Sequence, residues 1–242
     1  MAHYGGFAYF YDQFMNDIPY EAWASYIDMV ILRYVKKREN TLVLDLACGT
    51  GNITLPLARL GYDMIGVDIS ADMLAQAQAK MGMERILFLQ QDMRELDLYG
   101  TVDAAVCACD GLNYILDEAE LAAVFTRVKM FLNPGGVFVF DMNTEHKFRN
   151  FLGNRVFAAT VDGAEYEWEN RYNADTGVNE YHVVFMPGGG APFEEVHRQR
   201  AYPSQIICNL LREAGFTSIE MRDGYSDNTP TDESIRIVYI AA

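Results

Sequence analysis

Asp45-x-Ala47-x-Gly49-x-Gly51 stands where an apolar run, Leu42 to Leu46, gives way to a second apolar segment beginning at Ile53. A strand, a glycine-spaced turn and a helix form a cradle: glycine lets backbone approach a ligand, and the helix start offers N–H groups with no partner. The dinucleotide form of such a cradle needs G-x-G-x-x-G, and the third position here is Thr54. An acid at the strand end opposes a pyrophosphate and attracts an ammonium group. Farther along, Asp68-Ile69 ends a second apolar run, where a carboxylate can take both hydroxyls of a ribose. Gln91-Asp92-Met93 ends a third, with Asp92 able to accept from an exocyclic amine and Met93 able to pack on a purine face. Ammonium, ribose and adenine in that order describe S-adenosylmethionine. The competing reading is ordinary turn and helix-cap chemistry, which any single one of these positions could satisfy.

Other chemistry-bearing residues fall into three groups. Cys109 follows the fourth apolar run and would meet the cofactor through its backbone, while Asp110, Asn113 and Tyr114 are candidates for acceptor contact or for a helix cap. Tyr11 and Trp23, with Tyr26 one turn on, could offer aromatic faces to a sulfonium or form a core stripe. His197 and Arg200 lie on an alternating segment near Tyr202. Alternation puts His197 with Gln199 on one face and Arg198, Arg200 and Tyr202 on the other, as a pocket roof or as surface decoration.

The elements that would position these residues alternate. Strand-like runs at Thr41–Leu46, Met64–Val67, Ile86–Leu89, Ala104–Cys107 and Val137–Phe140 are separated by helix-like Ile53–Leu60, Ala71–Met81 and Glu118–Phe131. Ser70 or Asp72 can cap the second helix, and Asn133-Pro134-Gly135-Gly136 closes the third. This predicts a parallel α/β sheet with helices on both faces. From Phe157 the pattern becomes antiparallel, with strands at 165–172, 180–185 and 194–202, the last after a Pro/Gly loop. Helix Ser204–Ala214 and strands Thr217–Met221 and Ile235–Ala241 follow. The loop between those strands is too short for a helical crossover, so they pair antiparallel. The expected units are 1–156, an N-terminal helical lid with the cofactor core; 157–202, an antiparallel insertion over the substrate pocket; and 203–242, the rest of the core.

Composition narrows the partners. A net charge of -15 repels polyphosphate and disfavours nucleic acid. Cys48, Cys107, Cys109 and Cys208 have neither CxxC nor zinc-finger spacing, so no metal and no disulfide framework is expected. No leader pattern or membrane-spanning run is read, and a cytoplasmic protein is expected.

Taken together, the Asp45 to Gly51 motif, the acids at successive strand ends and the antiparallel last strand resemble class I S-adenosylmethionine-dependent methyltransferases. The resemblance implies a Rossmann-like seven-stranded sheet and S-adenosyl-L-methionine as cofactor, with Ala47 at a position often glycine. Phe7 to Asp12, Tyr20-Glu21-Ala22-Trp23 and Asp110-Gly111-Leu112-Asn113-Tyr114 resemble a bacterial group called YqeM-like. The Tyr-Asp and Tyr-x-x-Trp arrangement is also similar to glycine N-methyltransferase and its small-amine relatives. The expected activity is methyl transfer to N or O of a small-molecule acceptor by in-line displacement. A cofactor sensor or partner-binding domain, or an RNA or protein methyltransferase, are the alternatives; no Asn-Pro-Pro-Tyr type motif follows the fourth strand. His197, His146 and Asp110 are equal candidates for a base, and no catalytic residue stands out.

Overall fold

The computed structural model of the protein describes residues 7–161, 164–186 and 192–242. The first six residues and the Pro/Gly loop read at 187–191 lie outside the described residues. Helices α1 (Phe7–Phe14) and α2 (Tyr20–Val35) precede β1 (Leu42–Leu46), α3 (Thr54–Arg59), β2 (Asp63–Asp68), α4 (Ala71–Ala79), β3 (Ile86–Gln90), β4 (Val102–Cys107), α5 (Glu118–Phe131) and β5 (Leu132–Asn143). A π-helical turn, Lys147–Leu152, leads into β6 (Val156–Val161), β7 (Ala164–Asn173), β8 (Val178–Met186) and β9 (Phe193–Arg200). The chain returns through α6 (Ser204–Glu213), β10 (Ile219–Asp223) and β11 (Arg236–Ala241).

Among the described residues the strands form two sheets. The larger has seven strands in the order β10-β11-β5-β4-β1-β2-β3, and the smaller has four in the order β6-β7-β8-β9. β11 runs antiparallel to both β5 and β10, as its short connection requires, while β1 to β5 pair in parallel. β1 lies between β2 and β4, so the chain reverses direction across the sheet there. That is the topological switch point, where the carboxyl ends of open α/β sheets leave a crevice for ligands.

Alternate residues of the central strands feed two cores. Leu44, Phe138, Phe140 and Tyr239 face α5 and α6, with Phe140 stacked on Tyr239 at 4.9 Å between ring centroids. Val43, Val139, Val238 and Ile240 face α2 and α3. Two helices start on polar caps: Ser70 Oγ accepts the Met73 N–H ahead of α4, and Asp117 accepts from Ala119 and Glu120 ahead of α5.

Two expectations change. The N-terminal segment was expected to lie outside the sheet as a lid, yet α2 buries Ala24, Ile27, Val30 and Ile31 against it. An apolar stripe of this width needs an apolar partner, so only α1 and the link to α2 remain to cover the crevice. The insertion has four strands, not three. β6 reads Val156-Phe-Ala-Ala-Thr-Val161, too short in polar residues to show alternation, and it pairs with the amphipathic β7. On the smaller sheet, Tyr166 and Trp168, Tyr181, Val183 and Phe185, and His197 and Gln199 share the face turned to the crevice.

The base of α2 is tied down by charge. Buried Asp28 accepts two hydrogen bonds from Arg38 at 2.7 and 2.8 Å and one from Tyr62 at 2.8 Å. The bonds from Arg38, helped by Tyr62, outweigh burial and hold this carboxyl below its usual range. Its contribution to stability is therefore complete above the ordinary carboxylate pKa and is lost as pH falls through the lower folded value. Asp28→Ala should cost about 1–3 kcal/mol at neutral pH, reduced from a fully buried pair because Arg38 is partly solvated. Urea denaturation should show this gap at pH 7 and its shrinkage in acid.

Candidate cofactor and acceptor site

The crevice is one continuous cavity of about 600 Å³, within the range of small-molecule sites. Its first half is built from strand ends. After β1 the chain turns through Ala47, Gly49 and Gly51, at φ of 52°, 53° and 78°. A Cβ at Gly49 would meet nothing within 4 Å, so this residue is needed for its left-handed backbone and leaves the adjoining space open. Gly51 lies off the cavity, where its Cβ would press on Ala77 at 3.3 Å.

Two carboxylates sit under this turn. Asp45 is 2% exposed and accepts from Thr54 Oγ1 at 2.5 Å. Burial pushes its pKa up to about 7, with Thr54 opposing and the charge of Asp68 adding to the rise. Asp68 accepts the N–H of Gly49 and of Ser70, both at 2.8 Å. Burial raises its pKa against those bonds. Ile69, Gln91, Asp92 and Met93 also line this half. The Asp92 carboxylate is already gripped by Arg94, which reaches on to Glu120. The Gln91 amide is bonded in both directions to the backbone of Asp97.

From above, α1 closes this half. Asp12 accepts from Thr50 at 2.6 Å, Asn52 at 2.9 Å and Lys80 at 2.7 Å, pinning the helix across the turn and onto α4. Burial disfavours its charge, but those three bonds outweigh it and the carboxyl is held below its ordinary value. Tyr11, one residue earlier, lines the cavity. Burial keeps its hydroxyl protonated.

The second half depends on β4, β5 and the smaller sheet. Cys109 and Asp110 are consecutive left-handed residues, at φ of 60° and 56°. Both are held there by Asp141 at the end of β5, whose fully buried carboxylate accepts their N–H groups at 2.8 and 2.7 Å. Asp141 also accepts from Tyr225 and Arg236, and Arg236 bridges to Asp110 at 2.7 Å. Gln199 of β9 donates to the other Asp110 oxygen at 2.6 Å and accepts from Tyr181. Gly111 is needed here for space: its Cβ would come within 2.8 Å of the Ala47 Cβ, so the two loops interlock. Lys147, from the π-helical turn, enters the cavity with its amine on Asn143 Oδ1 at 2.8 Å. Burial, assisted by Arg236, lowers its pKa. Tyr114 lies 3.3 Å from His197 Nδ1, and His197 Nε2 lies 3.1 Å from Glu195. Burial pushes the Cys109 thiol up to about 12, so it is no nucleophile at neutral pH.

Of the residues singled out by sequence, Tyr11, Asp45, Ala47, Gly49, Asp68, Ile69, Gln91, Asp92, Met93, Cys109, Asp110, Tyr114 and His197 come together around the cavity. Gly51, Trp23, Asn113 and Arg200 do not. Trp23 stacks on Tyr225 at 4.4 Å and carries the Arg236 guanidinium 5.1 Å from its ring centre, so the cation on its face belongs to the protein. Asn113 is fully buried and braces backbone, donating to the carbonyls of Asn143 and Arg200 and accepting the Asn143 N–H. Arg200, of opposite parity to His197, turns to the Leu116 carbonyl and the Tyr202 ring. Sequence reasoning read Asp12 only as part of a resembling motif, with no role in the site, and passed over Asp141, Lys147, Glu195, Tyr225 and Arg236. The signal for Asp141 and Arg236 was present, since Asp141 is an isolated charge near the end of an apolar strand, as Asp45 and Asp68 are, and Arg236 is one at the start of another.

A methyltransferase domain model matches residues 43–136. The methyltransferase-family protein YqeM of Bacillus subtilis (strain 168) is 33% identical over 98% of this chain and 96% of its own. The chain belongs to the S-adenosylmethionine-dependent methyltransferases. A crystal structure of such a methyltransferase from Clostridium acetobutylicum ATCC 824 matches with a TM-score of 0.88 at 30% identity over 98% of both chains. A dTDP-3-amino-3,4,6-trideoxy-alpha-D-glucopyranose N,N-dimethyltransferase of Streptomyces venezuelae is 31% identical over 89% of each chain. The protein is thus an enzyme of this family, its cofactor is S-adenosyl-L-methionine, and its mixed sheet has the expected antiparallel last strand.

The raised pKa of Asp45 has a consequence for folding. The native state keeps a proton that the unfolded chain gives up near pH 4, so stability falls as pH rises from about 4 to about 7. Asn at this position can still accept from Thr54 and carries no charge. Asp45→Asn should match wild type in acid and exceed it by about 1–3 kcal/mol at pH 8, measured by urea denaturation without cofactor.

Proposed function

We propose that this methyltransferase transfers the methyl group to a nitrogen or oxygen of a small molecule enclosed between the sheet edge and the smaller sheet. The observation that carries this is the continuity of the cavity. It runs without a break from the carboxylates at β1 and β2 to a compartment walled by Tyr166, Trp168, Tyr181 and Phe185. The lid pinned through Asp12 and the smaller sheet above suit a compact acceptor better than a polymer. The wall is not purely apolar: the Trp168 Nε1 is buried without a hydrogen-bond partner among the described residues, a donor available to a polar ligand. The amino-sugar N,N-dimethyltransferase matches over 89% of this chain, a span that must include part of the smaller sheet, which favours an amine acceptor.

The residues present fit the cofactor. Asp45 would take its ammonium group and give up its own proton in doing so. Asp68, with one backbone N–H on each oxygen, keeps a lone pair on each for the ribose hydroxyls. Asp92 and Met93 would meet the adenine, and backbone at Cys109 would border the sulfur end. The bound cofactor supplies a methyl group already activated by a sulfonium leaving group. The protein's part is to hold the acceptor about 3–3.5 Å from that methyl, in line, and to exclude water. Tyr11 would add an aromatic face beside the sulfonium, worth about 0.5–2 kcal/mol.

Calorimetry with S-adenosylhomocysteine tests the cradle. Asp68→Ala should keep its circular dichroism and bind at least about thirtyfold more weakly, the loss of two charge-assisted hydrogen bonds; unchanged affinity would overturn the placement. Below pH 7, binding to wild type should release a proton, and affinity should fall about tenfold per pH unit as free Asp45 becomes protonated. Buffers of different ionisation enthalpy read the release directly, and Asp45→Asn should abolish it. Asp12→Ala should weaken binding about 3- to 30-fold while exposing α1 to faster amide exchange.

A further inference from the structure

The acceptor compartment contains a buried acid–base pair that the methyl transfer itself does not require. Glu195 and His197 are two residues apart on the inward face of β9, 8% and 7% exposed, with His197 Nε2 3.1 Å from Glu195 Oε2. A carboxylate this buried is costly unless a cation or donor meets it, and His197 Nε2 stands at ion-pair distance from it without the alignment of a hydrogen bond. The carboxylate selects the tautomer with hydrogen on Nε2, which leaves Nδ1 as an acceptor. Tyr114 presents its hydroxyl to Nδ1 at 3.3 Å from the 3₁₀ turn Gly111–Tyr114, and Tyr114 lines the cavity. The neighbours fix the ring. Tyr181 stands opposite His197 in the strand pairing, and Gln199, one alternation along, is anchored to Asp110.

We propose that Tyr114, His197 and Glu195 form a relay that removes a proton from the acceptor, and that the acceptor is an aliphatic amine arriving as its ammonium form. This rests on the small-molecule reading above. The ammonium N–H proton passes to the Tyr114 oxygen as the Tyr114 proton passes to His197 Nδ1. The nitrogen regains its lone pair, and the imidazolium is paired with the Glu195 carboxylate. That lone pair then forms the N–C bond as the C–S bond breaks and its electrons leave with sulfur. The product leaves as a methylated ammonium, and His197 returns its proton to water. A carboxylate acceptor would need none of this machinery, and the aromatic walls suit a cation entering the compartment.

The other ionisable groups facing this space are Asp110, Arg236, Lys147, Cys109, Tyr166 and Tyr181 and, from the lid side, Tyr11, Asp17 and Tyr20. Asp110 is engaged by Arg236 and Gln199, while burial keeps Cys109, Tyr181, Tyr11 and Tyr20 protonated. Lys147 is the rival base. Burial and the cation Arg236 favour its neutral amine while Asp110 and Asp141 oppose them, and that amine is held by the Asn143 amide oxygen, whereas His197 has a carboxylate behind it to pair with an imidazolium.

The test is a panel of primary and secondary aliphatic amines, aromatic amines that are neutral at pH 7, phenols and carboxylic acids, assayed for methyl transfer with wild type, His197→Gln, Glu195→Gln, Tyr114→Phe and Lys147→Gln. Tyr114→Phe removes only a hydroxyl from a partly exposed ring and guards against a folding defect in the buried variants. At pH 7 the His197 and Tyr114 variants should lose about 10²- to 10⁴-fold in kcat with aliphatic amines, while S-adenosylhomocysteine affinity stays at wild-type level. The deficit should shrink about tenfold per pH unit as more amine is free, and neutral aromatic amines should be methylated at near wild-type rates. A deficit independent of pH, or one that follows Lys147→Gln instead, overturns the relay. Turnover of phenols or carboxylic acids alone, or of nothing while cofactor affinity is intact, overturns the amine assignment. Loss of wild-type cofactor affinity would instead be a failure of the cradle reading.

Discussion

The acceptor half of the site depends on the buried carboxylate of Asp141. Two adjacent residues with side chains, Cys109 and Asp110, are held in the left-handed region where each costs about 1–2 kcal/mol. Each also gives its N–H to Asp141, and a hydrogen bond to a charged group contributes about 1.5–3 kcal/mol. The bonds outweigh the strain, so the chain leaving β4 turns back on itself instead of running on into solvent. Once it does, the Asp110 side chain is delivered to Arg236 on β11 and Gln199 on β9. One carboxylate thereby helps to fix the relation between the main sheet and the four-stranded sheet above it, beside the bonds from Asn113 to Arg200 and from Asn143 to Gln199.

Charge in the cavity is arranged by burial more than by count. Asp45 and Asp141 are both almost fully enclosed strand-end acids, yet they meet different environments. Asp141 has two backbone donors, a tyrosine and an arginine, whereas Asp45 has one hydroxyl and the repulsion of Asp68. The first organises structure through its four donors. The second is poised near neutrality, with an incomplete set of partners, as befits a group meant to receive a cationic ligand. The same contrast separates Arg236, held by two carboxylates, from Lys147, whose amine donates to an amide oxygen.

What could be read from sequence follows from how local each feature is. The cradle from Asp45 to Gly51 is a contiguous strand, turn and helix, and Asp68 and Asp92 end the next two strands in order, so period and spacing expose them. The antiparallel last strand was legible because an eleven-residue connection from Asp223 to Glu233 has no room for a helix. Trp23 was misplaced since an aromatic at a helix start looks the same whether its face meets a ligand or Tyr225. β6 was missed because Val-Phe-Ala-Ala-Thr-Val shows no alternation by itself and owes its strand state to pairing with β7.

The acceptor compartment was harder to read for a physical reason that goes beyond distance along the chain. Its walls come from the segments near 110, 141–147, 166–185, 195–199 and 236, and the links among them are polar: Asp110 to Gln199, Asn113 to Asn143, Arg236 to Asp141. Apolar packing announces itself in sequence as periodicity, because every residue on one face must be apolar. A polar link does not, because each partner is one residue in an otherwise unremarkable stretch. On β9 the parity of His197 and Gln199 was visible, and Glu195 shares it, but an acid on an amphipathic strand is by default assigned to solvent. Only the pairing that brings β9 beneath the lid turns that acid inward, so the groups best placed to select an acceptor are those that sequence pattern is least able to mark.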